Sequence, residues 1–391
     1  MAYDPLSPAT VAPFLEPDRA PDLEAARRFA CERLRPRPVP ADDAAARREA
    51  RELLVLLGAA GWLREAIPAA WGGARAAVSV RALCALREAA GEASPLADAV
   101  LALQALGATP IALAGEESLR RRWLPEVAAG RAMAAFAMTE PEAGSDVAAL
   151  ATTARRDGAD YVLDGRKWLI SNAGIADFYS VFASTDRAAG SRGVSCFLVP
   201  AGTAGLRFVG AQVLSEPHPL GEIALESCRV PADHRLGGEG EGFKLGMRTL
   251  DRLRATVAAA ACGMAGRALA EALAHAASRR QGDGALADLQ LVQAKLAAMA
   301  TELEAARLLT WRAAWEIDRG AGRGTREVAM AKLFATEAAQ RVVDQAVQIL
   351  GGRGVLAESI TDRLYRAVRA LRIYEGTSEI QHLVIARQIL R

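Results

Sequence analysis

Tyr161-Val162-Leu163-Asp164-Gly165-Arg166-Lys167-Trp168-Leu169-Ile170-Ser171-Asn172-Ala173-Gly174 marks the change of texture that decides the fold of this 391-residue chain. Two short β-favouring runs, Tyr161–Leu163 and Lys167–Ser171, are followed by the turn residues Asp-Gly and Asn-Ala-Gly. Tyr179–Ala183 and Val194–Val199 repeat the pattern, so residues 131–236 are expected to form a small antiparallel β domain. Upstream, apolar residues recur at helical spacing in Ala44–Leu57, Val78–Ala90 and Asp98–Leu106, with turn signals at Trp71-Gly72-Gly73 and Ser94-Pro95. Residues 1–130 therefore read as an all-helical domain. Downstream, Phe243–Ala277, Ala287–Asp318, Thr325–Leu350 and Ser359–Leu371 are long helical stretches joined by Gly-rich segments, and residues 237–391 read as a four-helix bundle. The expected class is α+β, in the order α, β, α.

Composition narrows the function. Hydrophobic residues at 51% and charged residues at 24% describe an ordinary folded protein. A net charge of +2 without a single-sign block argues against nucleic acid as partner. Cys31, Cys84, Cys196, Cys228 and Cys262 form no C-x-x-C pair, and His218, His234, His275 and His382 show no ligand spacing, so no metal site is expected. Met1-Ala2-Tyr3-Asp4-Pro5 does not read as a secretory signal, and a cytoplasmic location is expected. The charge-free stretch Ala99–Gly115 is short for a membrane span and reads as a buried helix ending near Pro110. No membrane association is expected.

Two Gly-rich segments, Gly237–Gly242 and Gly351–Gly354, lack dinucleotide-binding spacing inside a βαβ unit and read as helix caps or joints. Met138-Thr139-Glu140-Pro141-Glu142-Ala143-Gly144-Ser145-Asp146 offers hydroxyls and backbone N–H groups to an anionic or heteroaromatic ligand, or is a surface turn. Ile373-Tyr374-Glu375-Gly376-Thr377-Ser378-Glu379-Ile380-Gln381 places a carboxylate between an aromatic and a glycine, just before a Thr or Ser able to cap the next helix. Glu375 is either a solvated loop charge or, if desolvated beside the bundle, a base with a raised pKa.

Together these segments resemble the two signature regions of the acyl-CoA dehydrogenase family of flavoproteins. Lys167–Gly174, Val230-Pro231, Gly237–Phe243, Asp251–Arg254 and Gln348–Gly354 extend the resemblance over nearly the whole chain. It implies FAD-dependent α,β-dehydrogenation of an acyl-CoA thioester, with Glu375 removing the α-proton while the β-hydrogen leaves as hydride to the flavin. The position that bears the base in some relatives is Leu253, which cannot serve. By similarity FAD would be held by Phe136, Met138, Thr139, Ser145, Leu169, Ser171, Thr377 and Glu379. Arg279, Gln281, Gln290, Gln348 and Gly352 would reach the FAD of a neighbouring subunit, which makes a homodimer the minimum and a homotetramer the expected assembly. Ser145, Ser191, Asp251, Arg254, Tyr374 and Gly376 fall at thioester-binding positions, and an electron-transferring flavoprotein is the expected acceptor.

Three departures qualify the resemblance. Arg279-Arg280-Gln281-Gly282-Asp283 lacks the family's aromatic, which predicts weaker FAD retention. Leu169 replaces a tryptophan, and strand alternation is expected to send the adjacent Trp168 to the other face. Arg366-Ala367 replaces an Arg-Asp pair. Competing readings are an acyl- or aminoacyl-carrier-protein dehydrogenase, an oxygen-using oxidase or monooxygenase of the same fold, and a non-catalytic descendant. The acyl group is not legible, although Ala99 and Ala102 would leave room in the pocket floor; Pro217–Gly221 resembles, loosely, relatives handling cyclic or aromatic-pathway acyl groups.

Overall fold

A computed structural model describes residues 3–15, 20–320 and 324–390. Met1 and Ala2, part of the N-terminal reading, lie outside the described residues. The middle segment forms β1 (Ala134–Ala137), β2 (Thr153–Asp157), β3 (Asp160–Ser171), β4 (Phe178–Ser184), β5 (Val194–Pro200), β6 (Leu206–Ala211) and β7 (Leu220–Pro231). They make one sheet in the order β1-β4-β2-β3-β7-β6, with β5 also on β4. The sheet is not wholly antiparallel: β1 pairs with β4 in parallel, and so does β2 at Thr153–Ser184. Strands joined by a tight turn must reverse direction, as β2 and β3 do, but β1 and β4 are separated by that hairpin and are free of the constraint. β4 is buried along its whole length, and its one central polar side chain, Ser180, donates to the Gly107 carbonyl at 2.9 Å.

The two runs Tyr161–Leu163 and Lys167–Ser171 are one strand. β3 passes through both, and its register against β7 shifts between Leu163 and Gly165 and again between Lys167 and Ile170. The second irregularity interrupts the strict alternation at Trp168 and Leu169. Leu169 sits in the bulge at φ +55°.

The helices are α1 (Ala20–Phe29), α2 (Asp43–Ala59), α3 (Val80–Ala93), α4 (Pro95–Ala114), α5 (Glu117–Ala128), α6 (Gly242–Ser278), α7 (Gln290–Asp318), α8 (Thr325–Leu350), α9 (Ile360–Leu371) and α10 (Ser378–Ile389). α4 does not stop at Pro110 but runs four residues beyond it. Ala108 and Ile111 are fully buried on either side, so packing holds the helix where proline removes one hydrogen bond. α4 and α6 are long and apolar enough to cross a membrane, yet 78% and 72% of their most apolar windows are buried within the protein.

Compactness groups the chain into two units. One comprises Val39–Ser79 and Ala99–Leu250, that is α2, α5, most of α4 and the sheet. Its cores join Ile111, Trp123 and Leu124 to Phe178 and Phe182 on one side of the sheet and Tyr161, Phe197 and Ile223 on the other. The second comprises Met1–Pro38, Val80–Asp98 and Asp251–Arg391, so α1 and α3 from the 1–130 segment join α7 to α10 and most of α6. Its core is rich in alanine and small residues from α6, facing α7, α8 and α9. Gly263 lets α3 and α6 approach closely: a Cβ there would lie 2.0 Å from the Glu88 carbonyl oxygen. That approach sets Arg87 of α3 beside Thr256 of α6.

Candidate active site

The turn between α9 and α10 is built to hold Glu375. Tyr374 N–H still bonds the Ala370 carbonyl, and Thr377 then caps α10, its Oγ1 accepting from Ile380 N–H at 3.3 Å. Between them Glu375 (φ +53°) and Gly376 (φ +94°) are both left-handed, an arrangement that costs a non-glycine residue about 1 kcal/mol or more and persists only when its surroundings fix it. Three side chains do so. Arg254 Nε donates to the Glu375 carbonyl at 2.9 Å, Lys332 Nζ to the Gly376 carbonyl at 2.7 Å, and Gln381 Nε2 to the Gly376 carbonyl at 3.0 Å. Arg254 is itself held by Asp251 at 3.3 Å.

The carboxylate at this turn is different from its backbone. Glu375 Oε2 is buried without a hydrogen-bond partner. Burial pushes the Glu375 carboxyl above the usual value; Arg87, Arg254 and Lys332 pull it down without cancelling the effect, and Asp98 pushes it further up. Burial also lowers Lys332 to about 8, against the pull of Glu375. Arg87 and Asp98 form a buried bidentate pair at 2.7 and 2.8 Å, and Arg87 Nη1 donates to Thr256 Oγ1 at 2.8 Å. The Glu375 backbone N–H bonds nothing among the described residues.

In the sheet unit, the turn Met138–Asp146 is folded on itself by reciprocal backbone bonds between Glu140 and Ala143. Glu140 anchors it: its carboxylate accepts from Lys167 Nζ at 2.7 Å, Ala151 N–H at 2.5 Å and Thr152 N–H at 3.0 Å. Burial alone would raise its pKa, but Lys167 and these donors hold it below the usual value. Lys167 is fully buried and lowered by that burial to about 8. Its ammonium also donates to the Met138 carbonyl at 3.1 Å, and Trp168 N–H to the Thr139 carbonyl at 2.9 Å, so β3 and the turn are one unit. Leu169 is 47% exposed, its N–H held by Gln212 Oε1 at 2.9 Å. Ser171 Oγ lies 2.8 Å from His218 Nε2, and burial with the nearby Arg47 lowers His218 to about 4, leaving a neutral imidazole.

Residues 22–131, 135–229 and 240–390 match, in turn, the N-terminal, middle and C-terminal domains of acyl-CoA dehydrogenase. The chain belongs to the acyl-CoA dehydrogenase family. It is 44% identical over 288 residues to the mitochondrial short-chain specific acyl-CoA dehydrogenase of Sus scrofa, covering 72% of this chain and 69% of that protein. It is 38% identical over 350 residues to a 3-(aryl)acrylate reductase of Clostridium sporogenes, covering 87% and 90%. The solved butyryl-CoA dehydrogenase of Megasphaera elsdenii superposes with a TM-score of 0.90 at 32% identity, covering 96% of this chain and 99% of that one. The chain is thus an acyl-CoA dehydrogenase, and its cofactor is FAD.

The residues of each unit fit a flavin. Thr139 and Ser145 carry hydroxyls that bond nothing among the described residues, and Leu169 is exposed next to Trp168, whose N–H bonds the Thr139 carbonyl. Phe136 packs on Phe182 with ring centroids 4.8 Å apart, and the Met138 side chain is in the core. Ser191 is half-buried in a short helical segment before β5. In the helical unit Asp251, Arg254, Tyr374, Gly376 and Thr377 gather around Glu375, while Glu379 is exposed on the first turn of α10. Arg279, Gln281, Gln290, Gln348 and Gly352 are all exposed. Arg280–Gln281 and Gly284–Ala285 pair as a two-stranded hairpin turned by Gly282 and Asp283, with Gly282 at φ +62°. The missing aromatic therefore sits where a side chain is strained, and glycine is there to make the turn.

Sequence reasoning did not find Arg87, Asp98, Glu140, Lys167, Lys332 or Gln381. A lysine at position 332 inside the apolar face of α8 was the one local signal available. Gln381 bonds the turn five residues before it, Arg87 and Asp98 pair across eleven residues, and Glu140 meets Lys167 only through the fold of the sheet.

Proposed function

We propose that Glu375 is the base that removes the α-proton of the acyl-CoA thioester, and that the electrons pass onward to an electron-transferring flavoprotein. FAD, when bound, supplies the acceptor for the β-hydrogen. The protein supplies the rest of the chemistry. The Glu375 carboxylate accepts the proton at an oxygen left without partner, and a pKa raised by burial brings the base nearer to neutral pH. The Glu375 N–H is a fixed donor available to the thioester carbonyl oxygen, whose developing charge must be stabilised as the α-proton leaves. Arg254, Lys332 and Gln381 hold that N–H and that carboxylate in one geometry by binding the two carbonyls of the turn.

The observation that carries the reading is the buried, unpartnered Oε2 on a strained turn fixed by three side chains. The test is anaerobic flavin reduction by straight-chain, branched and cyclic acyl-CoAs in Glu375→Gln. FAD content should be kept and the reduction rate should fall; a parental rate with the best substrate removes Glu375 from the mechanism. The relative named 3-(aryl)acrylate reductase favours a second reading, in which the same carboxyl, protonated, delivers its proton to Cα of a 2-enoyl group. Turnover of an aryl-acrylyl thioester by the pre-reduced enzyme distinguishes the two directions. The five exposed residues Arg279, Gln281, Gln290, Gln348 and Gly352 support a flavin shared between subunits, and a homotetramer is the assembly proposed here.

A further inference from the structure

The base at the catalytic turn faces more charge than its own neighbours supply. α3 presents Arg87, the first turn of α4 Asp98, α6 Asp251 and Arg254, and α8 Lys332; the turn itself adds Tyr374, and α10 contributes the neutral amide of Gln381 and the exposed Glu379, whose charge acts on Lys332. Glu337 of α8 is engaged by Arg372 at 2.8 Å and by Ser378 at 2.5 Å. Apart from the exposed Glu379 and the engaged Glu337, three cations stand against two carboxylates, so one positive charge remains, and an ionised Glu375 cancels it. Arg254 and Lys332 are committed to main-chain carbonyls. Arg87 is not: its Nε and Nη2 take both oxygens of Asp98, its Nη1 takes Thr256, and its guanidinium interacts with both the Tyr374 hydroxyl and the Glu375 carboxylate.

A buried ion pair is seldom worth more to stability than apolar residues of the same volume, so a second role is the reason to look for when one lies beside a base. We propose that Arg87 is a positioning residue for the reaction: clamped by Asp98 and Thr256, its guanidinium fixes the Tyr374–Glu375 turn from the α3 side and keeps the base ionised and in one orientation. This rests on Glu375 being the base. The clamp suits the task. A planar guanidinium held bidentate on one edge cannot swing to form a direct ion pair with Glu375, which would occupy the oxygen that must take the proton. It acts instead as a fixed charge at a set distance, and Asp98 moderates it.

Arg87→Gln and Arg87→Lys, loaded with FAD, are to be compared with the parent by the pH dependence of kcat/KM for anaerobic flavin reduction, and by difference infrared titration of the Glu375 carboxyl against Glu375→Gln. In Arg87→Gln the acid limb should move up by roughly one pH unit or more, about a tenfold loss of kcat/KM below the limb and much less above it. Arg87→Lys should return the limb toward the parental position. A limb that stays in place in Arg87→Gln, whatever the change in Tm, overturns the proposal. If Arg87→Gln does not fold, Asp98→Asn serves: loss of the negative charge should move the limb toward lower pH, and an unmoved limb again rejects the idea. Failure of the base itself would look different, since Glu375→Gln would then reduce its flavin at the parental rate irrespective of Arg87.

Discussion

Glu140 and Glu375 sit at the two signature turns, each near a buried lysine, and their environments push them in opposite directions. Glu140 accepts three hydrogen bonds, one from an ammonium at 2.7 Å, and its pKa is lowered. Glu375 has a buried oxygen with no partner, and its pKa is raised. The lysines differ to match. Lys167 closes a salt bridge, whereas Lys332 gives its hydrogen bond to a carbonyl and leaves Glu375 unpaired. One pair is satisfied and serves the fold; the other is left incomplete, as the proposed proton transfer requires. Two carboxylates driven apart by environment are the mark of divided roles.

The comparison breaks most visibly in the carboxylates. Glu375→Gln should lose roughly 10²–10⁴-fold in anaerobic flavin reduction, the range for general base catalysis, with Tm nearly unchanged. Glu140→Gln should do the reverse: a lost partner for a buried charge costs about 3–5 kcal/mol, read in chemical denaturation, with the reductive rate of the folded fraction retained. Equal effects of both variants on both measurements would erase the distinction.

The lysines sharpen it. Both have a pKa of about 8 in the folded chain against roughly 10.4 when unfolded. Between those values the unfolded state binds more protons, so each lysine makes stability rise with pH across that window. Lys167→Met and Lys332→Met should both flatten this rise. Only Lys332→Met should also move the acid limb of flavin reduction upward, since it alone removes a cation facing Glu375.

How much of this was legible in the sequence depends on distance along the chain. The periodicity of residues 325–350 gives α8 to the residue, and Thr377 caps α10 as its position before Ser378 and Ile380 suggests, because both signals are local. β3 appears as two fragments because a bulge interrupts the alternation that identifies strands, and the parallel pairing of β1 with β4 has no local mark at all. In the site, Glu375 was legible because Tyr, Gly and Thr flank it. Arg87 and Asp98 were not, since their meaning comes from Thr256 and Glu375, more than 150 residues on.

A smaller effect is expected at the bulge. Leu169→Trp places another unbranched-at-Cβ side chain at φ +55°, so backbone strain should change little. Stopped flow should show altered reoxidation and a reductive rate within a few-fold of the parent; a large reductive loss alone would place Leu169 beside the substrate. The smallest effect belongs to the hairpin. Because Gly282 is left-handed, Gly282→Phe would be strained, and Asp283→Gly is the cleaner probe: it removes a carboxylate from the edge of an Arg-bearing hairpin and should raise FAD occupancy modestly at low salt.

The two buried lysines have a practical consequence. The chain contains only four lysines against 44 arginines. With Lys167 and Lys332 buried and Lys295 bonded to Gln345, Lys244 is the one exposed side-chain amine among the described residues. Among the four lysines, an amine-selective fluorophore should therefore attach predominantly at Lys244, on the first turn of α6.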